Sequence, residues 1–339
     1  MRSPLPSMVT EPVPPGTESD DGAPSASGST PEAIGAPDRR LPAVARFSLA
    51  SVISLILFGL TYSIFITTSA GQALENLALE GAALRPDLDR LAGLERLSLI
   101  TVVTFAAALA IVVGISVLQG RPQIGIAVAG LMGASVVLVE ILKLTLPRPI
   151  LLDGPAWILR NSFPSGTAAV AVAIALGAML ISPDRLRWVV VPIAVVGAAV
   201  VGEATQTTGW HRLSDTLGST FLVVAVVAAG LAVLTAVGEV RRSTRGRIDR
   251  RIRTALIFVA GLTMMVAAVV LLLAAVFPLL TSPTGGRRVF LQTAFPLIGI
   301  GCTALVLIAF AWVIEPFTLG RRREPSAPAS TPGPRAGPP

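Results

Sequence analysis

The residues best suited to chemistry in this chain of 339 residues are its single histidine, His211, and Asp215. Four positions separate them, so they share one face if a helix begins near His211. A carboxylate there can accept the imidazole Nδ1–H and leave Nε2 free as a nucleophile or base. The alternative is an interfacial histidine bonded to any neighbour, and an acid favoured by the dipole of the first helical turn. Because the histidine is unique and lies in a short polar stretch, we expect the pair to be functional.

Positive charge that suits a phosphate group occurs earlier in the chain. Lys143, the only lysine, and Arg148 lie in one polar stretch, and Arg160 follows. Arginine offers a planar fork to phosphate oxygens, and lysine offers a point charge. The alternative is that these side chains anchor the chain to lipid headgroups. Glu140 and Glu203 are nearby acids, and we expect them to pair with Lys143 or an arginine.

A third polar stretch, 161–167, reads Asn-Ser-Phe-Pro-Ser-Gly-Thr and precedes an apolar segment rich in Ala and Val. Ser and Pro are common where helices begin, which by itself is a sufficient explanation of this stretch. The free N–H groups of a helix start also bind anions, and glycine lets a phosphate approach the backbone closely. Ser165 and Gly166 are therefore candidate phosphate-binding residues.

Composition places the chain in a membrane. Hydrophobic residues make up 53% of it and charged residues only 14%, whereas soluble domains carry about 25% charged residues. Apolar segments of about spanning length occupy 46–69, 98–119, 122–142, 165–182, 188–204, 216–238, 254–277 and 289–316. Long uninterrupted runs satisfy their backbone in lipid as helices. The predicted fold class is an all-α integral membrane protein.

The distribution of basic residues predicts the orientation. With both termini in the cytoplasm, two thirds of the 27 Lys and Arg residues lie inside, as the positive-inside rule favours. This pattern also explains the net charge of +7 without nucleic acid as a partner. In this topology 143–164 and 205–215 both face outward, so that residues distant in sequence can form one extracytoplasmic site.

Taken together, the three stretches resemble the type 2 phosphatidic acid phosphatase family, which is related to the vanadium haloperoxidases. That family has the motifs Lys-x6-Arg-Pro, Pro-Ser-Gly-His and Ser-Arg-x5-His-x3-Asp. Here Lys143 with Arg148-Pro149 resembles the first, 164–167 the second, and Ala204-Thr205 with His211 and Asp215 the third. The resemblance implies a core of six membrane helices and leaves the last two apolar segments unexplained.

The resemblance also implies a mechanism. His211 would attack phosphorus to form a phosphohistidine, Asp215 would orient it, and water would then release phosphate. Lys143, Arg148, Ser165 and Gly166 would hold the phosphoryl oxygens. No metal or other cofactor is implied, since cations and helix N–H groups can stabilise the charge of the transition state.

The chain departs from the family pattern at three places. Arg148 follows Lys143 by five residues instead of seven, Thr167 replaces the general-acid histidine, and Thr205 replaces a phosphate-binding arginine. Thr167, Arg160 and Arg212 are candidate accessory residues. A missing proton donor typically costs about 10²–10⁴-fold in rate, which favours a substrate with a good leaving group, such as a lipid diphosphate. The alternative is a catalytically degenerate relative that binds a phosphorylated lipid or has a structural or transport role.

The predicted organisation has five parts. They are a disordered cytoplasmic tail (1–43), the six-helix core (44–238), a basic cytoplasmic linker (239–253), two further membrane helices (254–318) and a second disordered cytoplasmic tail (319–339). The expected partners are the lipid bilayer of the cell membrane and a phosphorylated lipid, whereas the sequence leaves the oligomeric state open. An Ala- and Arg-rich composition with one lysine is typical of GC-rich bacterial genes.

Overall fold

The computed structural model describes residues 41–83, 91, 94, 95, 97, 102–242, 250–276 and 285–319. Within these ranges the chain forms nine α-helices of two turns or more. They are α1 (Leu41–Thr61), α2 (Ser69–Ala83), α3 (Val102–Leu118), α4 (Pro122–Thr145), α5 (Gly166–Ile181), α6 (Arg187–Thr207), α7 (Leu213–Ala236), α8 (Arg250–Val276) and α9 (Gly285–Ile314). A π-helical turn, Tyr62–Ile66, extends α1, and single turns occupy Ala156–Leu159 and Asp184–Leu186. Two short strands, β1 (Val240–Arg242) and β2 (Phe317–Leu319), complete the described elements.

These helices confirm the predicted fold class, an all-α membrane bundle. In the described part of the chain, six helices are long and apolar enough to cross a bilayer, namely α1 with its π-helical extension, α4, α6, α7, α8 and α9. The apolar helices α3 and α5 are shorter. Each of the eight predicted apolar segments thus corresponds to one helix, because a long apolar run satisfies its own backbone only as a helix. The protein is a multi-pass membrane protein.

Helix α7 lies at the centre of the bundle. Its most apolar stretch is 72% buried inside the protein, compared with 11% for α8. α7 packs against α1, α4, α5 and α9, and the Ser51 hydroxyl of α1 donates to the Ala225 carbonyl of α7 (2.9 Å). α8 packs mainly on α9 and leaves apolar side chains such as Phe258 and Leu272 exposed, as expected for a helix that faces lipid.

All three polar stretches identified in the sequence meet at one end of the bundle. Asn161 donates to the Leu146 carbonyl just after α4 (3.1 Å), and the Ser165 N–H donates to the Asp215 carbonyl in α7 (3.0 Å). The His211 N–H donates to the Thr205 carbonyl at the end of α6 (3.0 Å). The ends of α4 and α6 and the beginnings of α5 and α7 therefore lie together, as the predicted alternation of helix directions requires.

Arginine side chains join the opposite end of the bundle to a small β-ladder. β1 and β2 pair antiparallel, with Val240 opposite Leu319. The buried Arg187 of α6 donates to the Phe317 carbonyl (2.9 Å), and Arg121 before α4 donates to the Leu319 carbonyl (2.7 Å). These bonds fix the chain after α9 to the core, because charged donors make the stronger hydrogen bonds.

Some boundaries differ from the predicted ones. α1 includes Leu41 and Pro42, which lie inside the predicted tail. Residues 240–242 of the predicted linker form β1. Helix α2 was not predicted, since its sequence is too polar for a membrane span. The rest of the predicted tails, before Leu41 and after Leu319, lies outside the described residues, as do 243–249 of the linker.

The arginine contacts predict that Arg187→Met destabilises the protein. The substitution removes two hydrogen bonds, to the Glu315 and Phe317 carbonyls, and bonds from charged donors contribute about 1.5–3 kcal/mol each. We expect a loss of at least about 1.5 kcal/mol in the free energy of unfolding, measured by denaturation in detergent micelles. Arg185→Met, at an exposed position of the same turn, is the control. Equal losses in the two variants would contradict the role given to Arg187.

Candidate active site

The carboxylate of Asp215 is the central acceptor of the candidate site. It is fully buried in the first turn of α7, and its Oδ2 accepts from the Arg212 N–H (2.9 Å). The same oxygen accepts from the Ser162 hydroxyl (2.6 Å) and lies 3.2 Å from Nδ1 of His211. The first bond caps α7, as acids at this position commonly do. Asp215 therefore has both of the roles considered for it, namely helix capping and contact with the imidazole.

His211 is held in place through its backbone and its ring. A sharp turn leads from α6 to α7, in which Gly209 has a positive φ of 73° that favours glycine. The N–H groups of Trp210 (3.1 Å) and His211 (3.0 Å) both donate to the Thr205 carbonyl. With Nδ1 directed to Asp215, Nε2 is the ring nitrogen left for a substrate. The arrangement suits nucleophilic attack by Nε2.

The loop before α5 is fixed to α7 at several points. Ser165 accepts at its carbonyl from the Ser219 hydroxyl (2.6 Å), in addition to its N–H bond with Asp215. The Ser165 hydroxyl accepts from the Ala168 N–H (3.2 Å) and so caps α5, and the residue is fully buried. The Phe163 ring packs on Gly218, where a Cβ atom would overlap it. Ser165 thus positions the loop, and Gly166 is the first residue of α5.

Lys143 and Gly166, from two different stretches, lie side by side. Lys143 is in the last turn of α4, and its Nζ lies 3.2 Å from Oε1 of Glu140, which confirms the expected pairing. A Cβ atom built on Gly166 would overlap the Glu140 carboxylate and lie 3.5 Å from the Lys143 Nζ. The Glu140 carboxylate therefore lies at the beginning of α5, where a helix favours negative charge. Asn161 holds this region together by donating to the Lys143 carbonyl (3.2 Å).

Arg148 carries a cationic nitrogen that is buried without a partner. Its Nη1 is shielded from solvent and has no hydrogen-bond acceptor among the described residues. Burial lowers the pKa of the guanidinium, the charge of Arg212 lowers it further, and Glu75 and Asp215 oppose both effects. A bound anion would offset the unfavourable burial of this charge. Arg148 is therefore suited to holding a phosphoryl oxygen.

The accessory residues predicted from the sequence have different surroundings. Arg212 is buried, and its guanidinium donates to the Ser162 hydroxyl (3.1 Å), the Asn76 side chain (3.3 Å) and the Ile158 carbonyl. Arg160 is exposed after the turn Ala156–Leu159, and Thr167 is half-buried in the first turn of α5. Thr205, which replaces an arginine of the family, is fully buried and donates to the Gly202 carbonyl (2.7 Å).

Sequence reasoning missed the contribution of α2. Glu75 is almost fully buried and accepts from the Ser214 N–H (2.8 Å) and the Ser214 hydroxyl (3.0 Å). Asn76 binds Arg212, and Gln72 donates to the Pro149 carbonyl (2.8 Å). Gln72, Glu75 and Asn76 are spaced i, i+3 and i+4, which is the spacing of one helix face. That spacing is a usable signal that the segment is a helix with a polar buried side.

The geometry brings together most of the predicted site. Hydrogen bonds link Lys143 to Asn161, the loop 161–165 to Asp215, and Asp215 to His211. Arg148 lies close enough to Asp215 for the two charges to interact. The cluster combines a nucleophile, an orienting acid and a cation, which are the groups required for transfer of a phosphoryl or acyl group.

The part of the chain that carries the candidate site matches a known protein family. The model of the PAP2 superfamily matches residues 124–241, from α4 to β1, and so covers all three motifs. No curated protein and no solved structure matched the chain. The family match confirms, over residues 124–241, the resemblance to the type 2 phosphatidic acid phosphatases that the order of the three motifs predicted.

Proposed function

We propose that the protein is a membrane lipid phosphatase that releases phosphate from a lipid mono- or diphosphate on the extracytoplasmic face. The match to the PAP2 superfamily supports a phosphatase-type function in general. The observation that carries the specific proposal is the pair formed by Nδ1 of His211 and the buried Asp215, at 3.2 Å. The unpartnered guanidinium nitrogen of Arg148 near the same carboxylate supports an anionic substrate.

The proposed reaction has two steps. Nε2 of His211 attacks phosphorus, the bond from phosphorus to the ester or bridging oxygen breaks, and that oxygen leaves with the bonding electrons. Asp215 stabilises the resulting cationic phosphohistidine by accepting from Nδ1–H. A water oxygen then attacks phosphorus, the P–N bond breaks, and inorganic phosphate leaves. Arg148 stabilises the negative charge on the phosphoryl oxygens, and Lys143 and the N–H groups at the beginning of α5 do so when the phosphoryl group displaces the Glu140 carboxylate.

Two arrangements in the site favour the alternative of a binding protein without turnover. Lys143 is already paired with Glu140, and Thr167 stands where the family has its proton donor. Against this alternative, His211 and Asp215 have the mutual geometry that nucleophilic catalysis needs. The two functions differ in whether phosphate is released.

The first experiment measures phosphate release by purified full-length protein in mixed micelles. The substrates are phosphatidic acid and farnesyl diphosphate, and His211→Ala is compared with the wild type. We expect release by the wild type and none above background by His211→Ala, since His211 is the only histidine of the chain and alanine has no nucleophilic nitrogen. An acid-labile, alkali-stable phosphoenzyme should form only in the wild type. Release that survives His211→Ala would refute the mechanism, and binding without any release would favour the alternative function.

Asp215→Asn tests the orienting role of the carboxylate. The oxygen of the introduced amide can still accept from the Arg212 N–H and cap α7, so we expect a folded protein. The amide cannot stabilise the cationic phosphohistidine as a carboxylate does. The expected result is a fall in kcat of up to about 10⁴-fold, the size of the fall for the equivalent change in a Ser-His-Asp triad, with a small change in KM. A kcat near the wild-type value would show that Asp215 serves only as a cap.

Arg148→Gln tests the phosphate-binding role. Loss of a charged hydrogen bond to the substrate of about 1.5–3 kcal/mol corresponds to a fall in kcat/KM of about 10–150-fold. Because Nη1 of Arg148 is buried without an acceptor among the described residues, the variant should unfold at the same or a higher temperature than the wild type. Arg185→Gln, at the opposite end, is the control. A loss of activity that accompanies a loss of stability would contradict a direct role in substrate binding.

A further inference from the structure

The carboxyl group of Glu75 is buried against the first turn of α7, near the candidate site. α2 packs against α9, and Glu75 on α2 is 1% exposed. Its two oxygens accept from the N–H and the hydroxyl of Ser214, the residue that immediately precedes Asp215. The mechanism described above makes no use of this carboxyl group. It leaves open which group protonates the departing oxygen where Thr167 replaces a histidine.

Glu75 and His211 line the same cavity. Its volume of about 10 Å³ is about the room that one water molecule requires. The other walls include Gln206 of α6, Arg212 before α7, and Phe295 and Pro296 of α9. Among the described residues that line this cavity, Glu75 is the only carboxylic acid. One water molecule in this cavity would connect the Glu75 carboxyl group with a group bound at His211 and so provide a route for a proton.

We propose that Glu75 is the general acid and base of the reaction, in the role for which Thr167 is unsuited. This inference rests on the proposed phosphatase function. In the first step the P–O bond breaks and the leaving oxygen takes the proton of the Glu75 carboxyl group. In the second step the Glu75 carboxylate takes a proton from the water that attacks phosphorus, and the P–N bond breaks. The carboxyl group is regenerated and no further reactant is needed.

The electrostatic surroundings of Glu75 suit both steps. The pKa of Glu75 is raised to about 7, first by burial and then by the charge of Asp215, although the bonds from Ser214 and the charge of Arg212 oppose this rise. Other charged or titratable groups that face it are His211 across the cavity and Arg148, whose charge interacts with it. An acid with a pKa near the working pH is both a good proton donor and, once ionised, a good base.

Glu75→Gln removes the transferable proton and preserves the contacts with Ser214. The amide oxygen accepts from the Ser214 N–H, and the amide nitrogen donates to the hydroxyl. The two substrates differ in the need for a proton, because a departing alkoxide needs one and a departing phosphate much less. We therefore expect turnover of phosphatidic acid to fall by about 10²–10⁴-fold. Turnover of farnesyl diphosphate should fall by much less, so that the variant prefers the diphosphate.

The pH profile gives a second measurement. The acid must be protonated at the start of the first step, so kcat/KM of the wild type for phosphatidic acid should fall as the pH rises above about 7. Glu75→Gln should lack this alkaline limb. A purely structural role of Glu75 would lower activity at all pH values and would leave the profile unchanged.

Glu80→Gln is the matched control on the same helix. Glu80 is partly exposed and pairs with Arg288 of α9 (2.7 Å), and we expect wild-type rates on both substrates. Size-exclusion chromatography and thermal unfolding confirm that each variant is folded. The inference would be overturned if Glu75→Gln lost turnover equally on the two substrates or lost none on either. It would also be overturned if the wild type did not turn over phosphatidic acid. If His211→Ala is inactive in the same assays, the phosphohistidine mechanism still holds and only the role of Glu75 is wrong. If His211→Ala is active, the phosphohistidine mechanism itself is refuted.

Discussion

The hydrogen bonds accepted by Oδ2 of Asp215 are the interaction on which the rest of the site depends. One oxygen receives the Arg212 N–H and the Ser162 hydroxyl, and it contacts the His211 ring. The first bond begins the central helix α7, the second holds the loop before α5, and the third directs the imidazole. A fully buried charged acceptor is costly unless it is well bonded. The same bonds that stabilise the carboxylate therefore also bring together sequence stretches that are about fifty residues apart.

The arginine contacts at the other end give the bundle a second fixed point. Arg187 and Arg121 bind backbone carbonyls of β2, and Arg46 of α1 donates to the Trp312 carbonyl of α9 (2.6 Å). Each of these side chains spans elements that are distant in sequence. α9 is thus held at one end by charged donors and at the other by packing against α2 and α6. These contacts attach α9 to the core, and α8 is attached through its packing on α9.

The sequence predicted those features that depend on local composition and on the order of the motifs along the chain. Long apolar runs identify eight helices, and the order of three short motifs predicts the family resemblance that the match over residues 124–241 confirms. The sequence predicted the His211–Asp215 contact from helical spacing, but His211 lies before the extended N-cap Arg212, so the contact depends on the turn that precedes α7. Glu75 could not be found in this way, because its role depends on the packing of α2 against the start of α7. The pairing of β1 with β2 was equally inaccessible, since each strand has only three residues and their partners lie about 75 positions apart.

Much of the wall around His211 lies outside the stretch that defines the family. Residues 124–241 supply His211 and Arg212, whereas Glu75 comes from α2 and Phe295 from α9. Substitutions in α2 or α9 can therefore change the surroundings of His211 while the three motifs stay the same. The surroundings of the proposed nucleophile are thus set partly by helices that lie outside the matched stretch.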